Sequence, residues 1–327
     1  LEPNVSPDAV CALNAPTGAI VCPYELTIAA IGNAMDNGAE LKVNFEVSEI
    51  RKDGNGFEII SSNGDIVKTA YAVNAAGINA DLIAGMAGET DIKLHPRRGE
   101  YVLLDKTSGG IVSHTIFRTP SAMGKGILVT PTVDGNLLLG PTAEDAEDKN
   151  DTATTANGVS TVLARCTETT KGINLRDTIT SFCGLRAVGN TGDFIINSPC
   201  EHFINAAGIE SPGLSASPAI AEYIIQMLGE RGLQLIKNES FNPIRKPSHY
   251  FREASLAEKN EIIAKDRAYG RIICRCETVS EGEIIDALRR NPKATDIDGV
   301  KRRTRAGMGR CQGGFCMPYV MRLIEKE

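Results

Sequence analysis

Cys274 and Cys276 are separated by one residue, Cys311 and Cys316 by four, and thirty-four residues lie between the two pairs. Five cations, Lys301, Arg302, Arg303, Arg305 and Arg310, lead into the second pair, and Gly307, Gly309, Gly313 and Gly314 are interleaved with its residues. Four thiols gathered at one end of a chain must either bridge one another or hold metal. A disulfide pair needs an oxidising compartment, and the opening LEPNVSPDAV has neither the basic region nor the apolar core of a secretory signal. Structural zinc also takes four cysteines, but its pairs are usually C-x2–4-C, and a single intervening residue is tight for a tetrahedral ion. A [2Fe–2S] cluster takes two thiolates per iron, carries net negative charge that nearby cations offset, and is tuned by backbone N–H groups close to its sulfurs. Only the cluster uses the thiols, the basic collar and the glycines together, so it is the expected occupant.

The other five cysteines, Cys11, Cys22, Cys166, Cys183 and Cys200, are scattered singly and read mostly as ordinary buried small residues in a reducing, cytoplasmic setting. A chain of 327 residues is comfortable for two or three domains. Its net charge of −6 argues against general nucleic-acid binding, so the basic run needs a local explanation. No apolar run approaches the ~20 residues of a membrane span.

The hydrophobic pattern predicts a helix over CPYELTIAAIGNAMDNG with Ile28, Ile31 and Met35 on one face, then a strand in which Leu41, Val43, Phe45 and Val47 alternate. DGNG makes a turn and FEIISS the return strand. Residues 94–190 are strand-rich, with GEYVLLD, GILVTPT, NLLLGPT and ITSFCGLR as strands and one helix, about 151–170, carrying Val159, Val162, Leu163 and Cys166. The pentapeptide NAAGI occurs twice, at 74–78 and 205–209, each time ending an apolar strand. A strand that ends in Ala-Gly lets backbone approach a ligand at the carboxyl edge of a sheet. Ser217 and Pro218 suit the start of the helix after the second copy. Residues 236–269 read as a linker, and a small domain begins near Gly270, where Ser280 and Glu283 form a capping box.

CRCETVSEGEI with RRTRAGMGRCQGGFC resembles the small [2Fe–2S]-binding domain of the bacterioferritin-associated ferredoxin type, most closely the form appended to anaerobic glycerol-3-phosphate dehydrogenases. The resemblance implies Cys274, Cys276, Cys311 and Cys316 as ligands. VNAAGINAD, HPRRGEYVLLD, TVDGNLLLGPTAED, CGLRAVG…DFII and NAAGIESPGLSASPAIAEYI resemble the FAD-dependent oxidoreductases of the glycerol-3-phosphate dehydrogenase, D-amino-acid oxidase and 2-hydroxyglutarate oxidase group. That resemblance implies that Gly77, Gly208, Ser211, Gly213, Leu214 and Ser215 lie along the FAD. It implies that Arg186 holds an anionic substrate, with His95 and Arg98 as further site candidates.

Two departures stand out. No G-x-G-x-x-G unit occurs in these residues, so the chain is expected to start after the family's N-terminal βαβ unit. GIESPGL replaces the Gly-Gly-Lys-x-x-Thr run of glycerol-3-phosphate dehydrogenases, which leans toward the hydroxy-acid or amino-acid branches.

The expected fold is α/β and α+β. A partial FAD-binding α/β domain (1–93 and 191–235) joins a β-rich substrate domain (94–190), a linker (236–269) and a small helical [2Fe–2S]-binding domain (270–327). The expected activity is a FAD-dependent dehydrogenase that oxidises glycerol 3-phosphate or a 2-hydroxy acid by hydride transfer to flavin. Electrons would leave through the cluster to an acceptor protein or quinone-linked subunit, with membrane association only through such a partner. The alternatives are a non-catalytic iron–sulfur electron-transfer subunit and an amino-acid-oxidising flavoenzyme.

Overall fold

The computed structural model describes residues 1–120, 126–247 and 250–327. Helix α1 (Pro23–Asp36) is followed by the antiparallel meander β1 (Val47–Asp53), β2 (Gly56–Ser61) and β3 (Ile66–Thr69). Gly54 takes a left-handed φ of 57° in the β1–β2 turn, where the DGNG pattern predicts one. The strand expected over ELKVNFEVSEI, residues 40–50, is formed only in its second half, as the start of β1: Leu41 and Val43 are exposed, and pairing begins at Val47 opposite Ser61. The alternation is present in the sequence, but no described strand lies beside residues 41–45 to complete a ladder. Helix α1 buries only Gly32. Ile31 on its expected apolar face is exposed, whereas Ile28 and Met35 are half-buried.

The two NAAGI copies end adjacent strands. Strand β4 (Ala72–Asn74) runs parallel to β11 (Phe203–Ala207), and β10 (Ile195–Cys200) pairs antiparallel on the far side of β11. Helix α2 (Ala80–Met86) packs against this sheet, with Ala80 and Ala84 fully buried against Ile92, Leu94 and Ala207.

The middle unit is a five-stranded antiparallel sheet. Long strand β5 (Leu94–Leu104) carries β9 (Thr178–Gly189) along one edge, and β7 (Leu137–Gly140) and β8 (Glu144–Asp145) along the other; β6 (Leu128–Pro131) pairs β7. Helix α3 (Ala156–Thr169) covers one face, burying Val162 and Cys166 against Val102, Leu104 and Leu139. The α3 start is fixed by Glu100, fully buried, whose carboxylate accepts from Thr155 N–H at 3.0 Å and from Thr155 Oγ1 at 2.9 Å. The first residues of the chain lie on this unit: Val5 bridges Thr170, and Asn4 Nδ2 donates to the Ile111 carbonyl.

Helix α4 (Gly213–Glu230) starts four residues earlier than Ser217 and Pro218 suggest, and Pro218 lies inside it. Proline has no N–H to give the carbonyl four residues back, and the Ser217 hydroxyl donates to that Leu214 carbonyl instead, at 2.9 Å. The stretch read as a linker contains helix α5 (Leu256–Lys265), started by a capping box of Ser255 and Glu258; residues 248 and 249 of that stretch lie outside the described residues.

The C-terminal unit pairs β12 (Ile272–Cys274) with β13 (Val279–Ser280) and packs α6 (Glu281–Arg289), α7 (Ile297–Thr304) and α8 (Met317–Lys326) around Ile284, Val300 and Val320. The expected capping box of Ser280 and Glu283 is formed. No helix among the described residues is long and apolar enough to cross a membrane.

Candidate functional site

The parallel register sets Asn205 opposite Asn74, so the two Ala-Ala-Gly runs leave the sheet side by side. Gly77 and Gly208 take nearly equal left-handed φ values, 58° and 61°. Only glycine adopts this backbone at no steric cost, and it turns both chains away from the same carboxyl edge. The space beyond Gly77 is open, whereas Gly208 lies against Gly189 at the end of β9. The pair therefore makes a bare backbone cradle of the kind that α/β proteins offer a nucleotide cofactor. From Gly208 the chain passes through Ser211 to the first turn of α4, which holds Gly213, Leu214 and Ser215. The Ser215 hydroxyl donates to the Pro212 carbonyl at 3.0 Å, which fixes that turn. The residues fit FAD in this respect: a side-chain-free strand edge and the positive end of an eighteen-residue helix converge on one place.

The uncovered face of the five-stranded sheet leads to this edge. Along β5, alternation puts His95, Arg97, Gly99 and Tyr101 on that face and Arg98 and Glu100 on the face under α3. Arg186 on β9 stands directly opposite Arg97. Its Nη2 donates to the Thr142 carbonyl at 2.6 Å, and a Cβ on residue 99 would lie 2.7 Å from that nitrogen, so Gly99 is what makes room for the guanidinium. Arg186 has no carboxylate partner among the described residues. Arg97 is paired: its hydrogen bond to Asp145 at 2.7 Å raises its pKa above the ordinary value, with the Glu210 charge adding to the effect. Next to them Tyr101 and Phe182 stack at 5.1 Å.

His95, exposed, shares this face, with Nε2 3.5 Å from Asp145 Oδ1. Arg98 is directed to the opposite side, where it pairs with Asp151 and leaves a buried, unpartnered Nε. The fold thus brings Arg186, His95 and the 208–215 segment toward one side and sends Arg98 elsewhere. Arg97, not singled out from the sequence, is legible in retrospect from the two-residue period of β5.

The four cysteines meet in the C-terminal unit as two pairs. Cys276 Sγ lies 3.5 Å from Cys311 Sγ, and the thiol of Cys316 hydrogen-bonds that of Cys274. The inner pair is buried, with Cys274 1% and Cys316 2% exposed, while Cys276 is at the surface and Cys311 half-buried. Among the described residues no three His, Cys, Asp or Glu side chains converge on a single-ion site. A donor set of two thiol pairs suits a two-iron cluster, which takes two thiolates per iron.

Burial, with the Cys274 thiol beside it, pushes the Cys316 thiol up to about 12. Burial also acts to raise Cys311, but the Cys276 thiol and N–H groups of Phe315, Gly313 and Gly314 outweigh it and hold Cys311 below the ordinary thiol value. Those N–H groups are the donors expected of the glycine-rich loop. Gly309 is required for another reason: a Cβ there would collide with the Cys276 side chain.

The cations of the basic collar have partners of their own. Lys301 and Arg302 pair with Asp298, Arg303 donates to the Pro292 and Gly299 carbonyls, and Arg310 pairs with Asp105 at 3.1 Å. Arg305, buried at a left-handed φ of 68°, reaches Glu277 at 2.9 Å and Asp134 at 2.5 Å. Arg252 bridges the same two carboxylates, and Lys106 reaches Glu277 at 3.0 Å. Glu277 directly follows Cys276, and Asp134 lies in the β6–β7 turn, so this buried network ties the cysteine loop to the five-stranded sheet.

Comparisons with known proteins agree with both halves of the chain. Residues 1–227 match the family model described as FAD dependent oxidoreductase, and residues 272–326 the BFD-like [2Fe-2S] binding domain. A glycerol 3-phosphate dehydrogenase of Caloramator mitchellensis is 48% identical over the whole of this chain, which spans 68% of that protein. An anaerobic glycerol-3-phosphate dehydrogenase subunit A1 of Haloferax volcanii is 24% identical over 97% of this chain and 61% of its own length. Among solved structures, the FAD-bound L-alpha-glycerophosphate oxidase of Mycoplasma pneumoniae superposes with a TM-score of 0.60 at 30% identity, covering 64% of this chain and 56% of that one.

Proposed function

The chain belongs to the FAD dependent oxidoreductase family and carries a C-terminal BFD-like [2Fe-2S] binding domain, and from that premise we propose that it is part of a dehydrogenase oxidising glycerol 3-phosphate. The observation that carries this reading is the 48% identity to a glycerol 3-phosphate dehydrogenase that continues through the cysteine domain. It outweighs the lean toward hydroxy acids drawn from GIESPGL.

The site chemistry supports an anionic substrate. Two guanidiniums directly opposed on one sheet face repel each other unless something negative offsets them. Asp145 and Glu210 serve Arg97, and Arg186 is left for an incoming phosphate. Its planar fork suits the geometry of phosphate oxygens. Thr142 holds one nitrogen of the fork in place, and the Tyr101–Phe182 stack gives the substrate a wall that excludes water. His95 is the group on this face able to take the proton of the substrate hydroxyl, with Asp145 beside its ring to orient it. The positive end of α4 favours negative charge as it develops at the cofactor. Bound flavin supplies the hydride acceptor, and the cluster supplies an exit for single electrons other than oxygen.

The test is a substrate screen on the full-length protein with a dye acceptor. Glycerol 3-phosphate should give the highest kcat/KM, and a 2-hydroxy acid or amino acid exceeding it by tenfold would overturn the assignment.

A further inference from the structure

Part of the cysteine domain's surface is both aromatic and basic. Phe315, which directly precedes the ligand Cys316, is 81% exposed. Tyr319 follows one turn later on α8 and is also exposed, with the Arg322 guanidinium 5.9 Å from its ring centre. Tyr319 and Arg322, three residues apart, share one side of α8, and Phe315 lies in the turn just before the helix begins at Met317. Arg275, between the ligands Cys274 and Cys276, is exposed beside the outer thiol pair. Neither Arg275 nor Arg322 has a carboxylate partner among the described residues, although most other cations of this domain do. Residues 272–326 hold eleven Lys and Arg against seven Asp and Glu, while the whole chain has a net charge of −6. The positive charge is thus concentrated on the domain that holds the cluster. Exposed aromatic residues among arginines are the composition of protein-docking cores, and a local field of one sign steers a partner of the other.

We propose that Arg275, Phe315, Tyr319 and Arg322 form the docking face for an acidic redox protein, which would take electrons at the surface thiol pair Cys276–Cys311. This rests on the reading of the domain as an electron exit and adds the partner's chemistry and the residues that meet it. Phe315 is the apolar anchor, and the two arginines set orientation and encounter rate.

The test uses the full chain loaded with iron and sulfide, with visible absorbance and iron content checked for every variant. The probe is a small acidic [2Fe–2S] ferredoxin, and a basic c-type cytochrome of similar size is the comparison; binding is followed by surface plasmon resonance at several salt concentrations. The ferredoxin should bind more tightly than the cytochrome and weaken with salt. Arg275→Glu with Arg322→Glu should slow association by about tenfold or more at low salt, and Phe315→Ala should speed dissociation by about tenfold. Absence of ferredoxin binding, tighter binding of the cytochrome, or indifference to the charge reversals would overturn the proposal. Self-association of the chain, or capture on vesicles of anionic lipid, would overturn it too if the same substitutions abolish it. A chain that fails to load iron would instead defeat the cluster reading on which the proposal rests.

Discussion

Asn74 donates its side-chain N–H to Oδ1 of Asn205 at 2.9 Å across the parallel pair β4–β11, and Asn205 in turn donates to Asn197 Oδ1 at 2.9 Å. Asn74 also donates to the Ala80 carbonyl, so the start of α2 hangs on the same network. Both partners in the first bond are buried. Truncating Asn205 to Ala leaves the Asn74 donor and the Asn197 acceptor without it. The expected loss is about 1–3 kcal/mol, the desolvation penalty of buried polar groups left unmade. Urea unfolding should show it as a lowered midpoint with unchanged slope; a midpoint equal to wild type would mean that water replaces the bond.

The cysteine domain is expected to hold about two irons per chain, with brown colour after anaerobic purification. Cys276→Ala should abolish the visible spectrum, while Cys183→Ala, at a position away from the two pairs, should leave it intact. Stoichiometric zinc without iron, after growth with ample iron and sulfide, would rule the cluster out.

In the full-length enzyme, Arg186→Leu should lose roughly 2–5 kcal/mol of substrate interaction, as for truncating one partner of a buried charge pair. Arg98→Leu removes a cation on the other face of β5, so its effect should fall on stability rather than on KM. Steady-state kinetics with glycerol 3-phosphate separate the two, and equal KM changes would contradict the assignment of faces.

The helix starts of the cysteine domain were legible because their signals are local: Ser280 and Glu283 lie three residues apart and close a capping box without help from elsewhere. The same signal at Ser255 and Glu258 was present but hidden in a polar, proline-bearing stretch. The strand expected over residues 40–50 formed only from Val47 onward for the opposite reason, since a ladder depends on a neighbour that no local pattern supplies. The NAAGI repeat foretold two equivalent strand ends, but not that Asn74 would face Asn205, because register across a parallel pair is set by everything between them. Arg305 illustrates the limit best. Its place in a basic run suggested a cluster counter-charge, whereas its partner Asp134 lies 171 residues away.

These 327 residues, expressed alone, should bind FAD weakly while keeping iron. They contain no glycine-rich loop to grip the pyrophosphate. Strand β4 is an edge, with Val73 of that strand exposed, and the eighteen-residue α4 buries no residue fully. The cysteine domain has its own core and its own metal staple. Fluorescence titration decides the matter: stoichiometric, submicromolar FAD binding would show that the cradle at Gly77 and Gly208 suffices.

Arg305 and Arg252 each span Glu277 and Asp134, and Lys106 adds a third cation to Glu277. Burial acts to lower the Arg305 pKa, but Glu277 and Asp134 outweigh it and raise it above the ordinary value, so the guanidinium stays charged at any working pH. Removing one member of such a buried set strands the others, at a cost of about 3–5 kcal/mol. Asp134→Ala leaves Arg305, Arg252 and Lys106 sharing the single carboxylate of Glu277 and should loosen the cysteine domain from the β6–β7 turn, although both units keep their own cores. Arg305→Met with Asp134→Leu removes one charge of each sign and should recover part of the loss. The readout is hydrogen exchange across residues 128–140 and 272–280, with the cluster spectrum as a check on the cysteine domain. Faster exchange in both segments for Asp134→Ala, with the spectrum retained, is the expected result. Unchanged exchange would mean that the network contributes nothing to joining the two units.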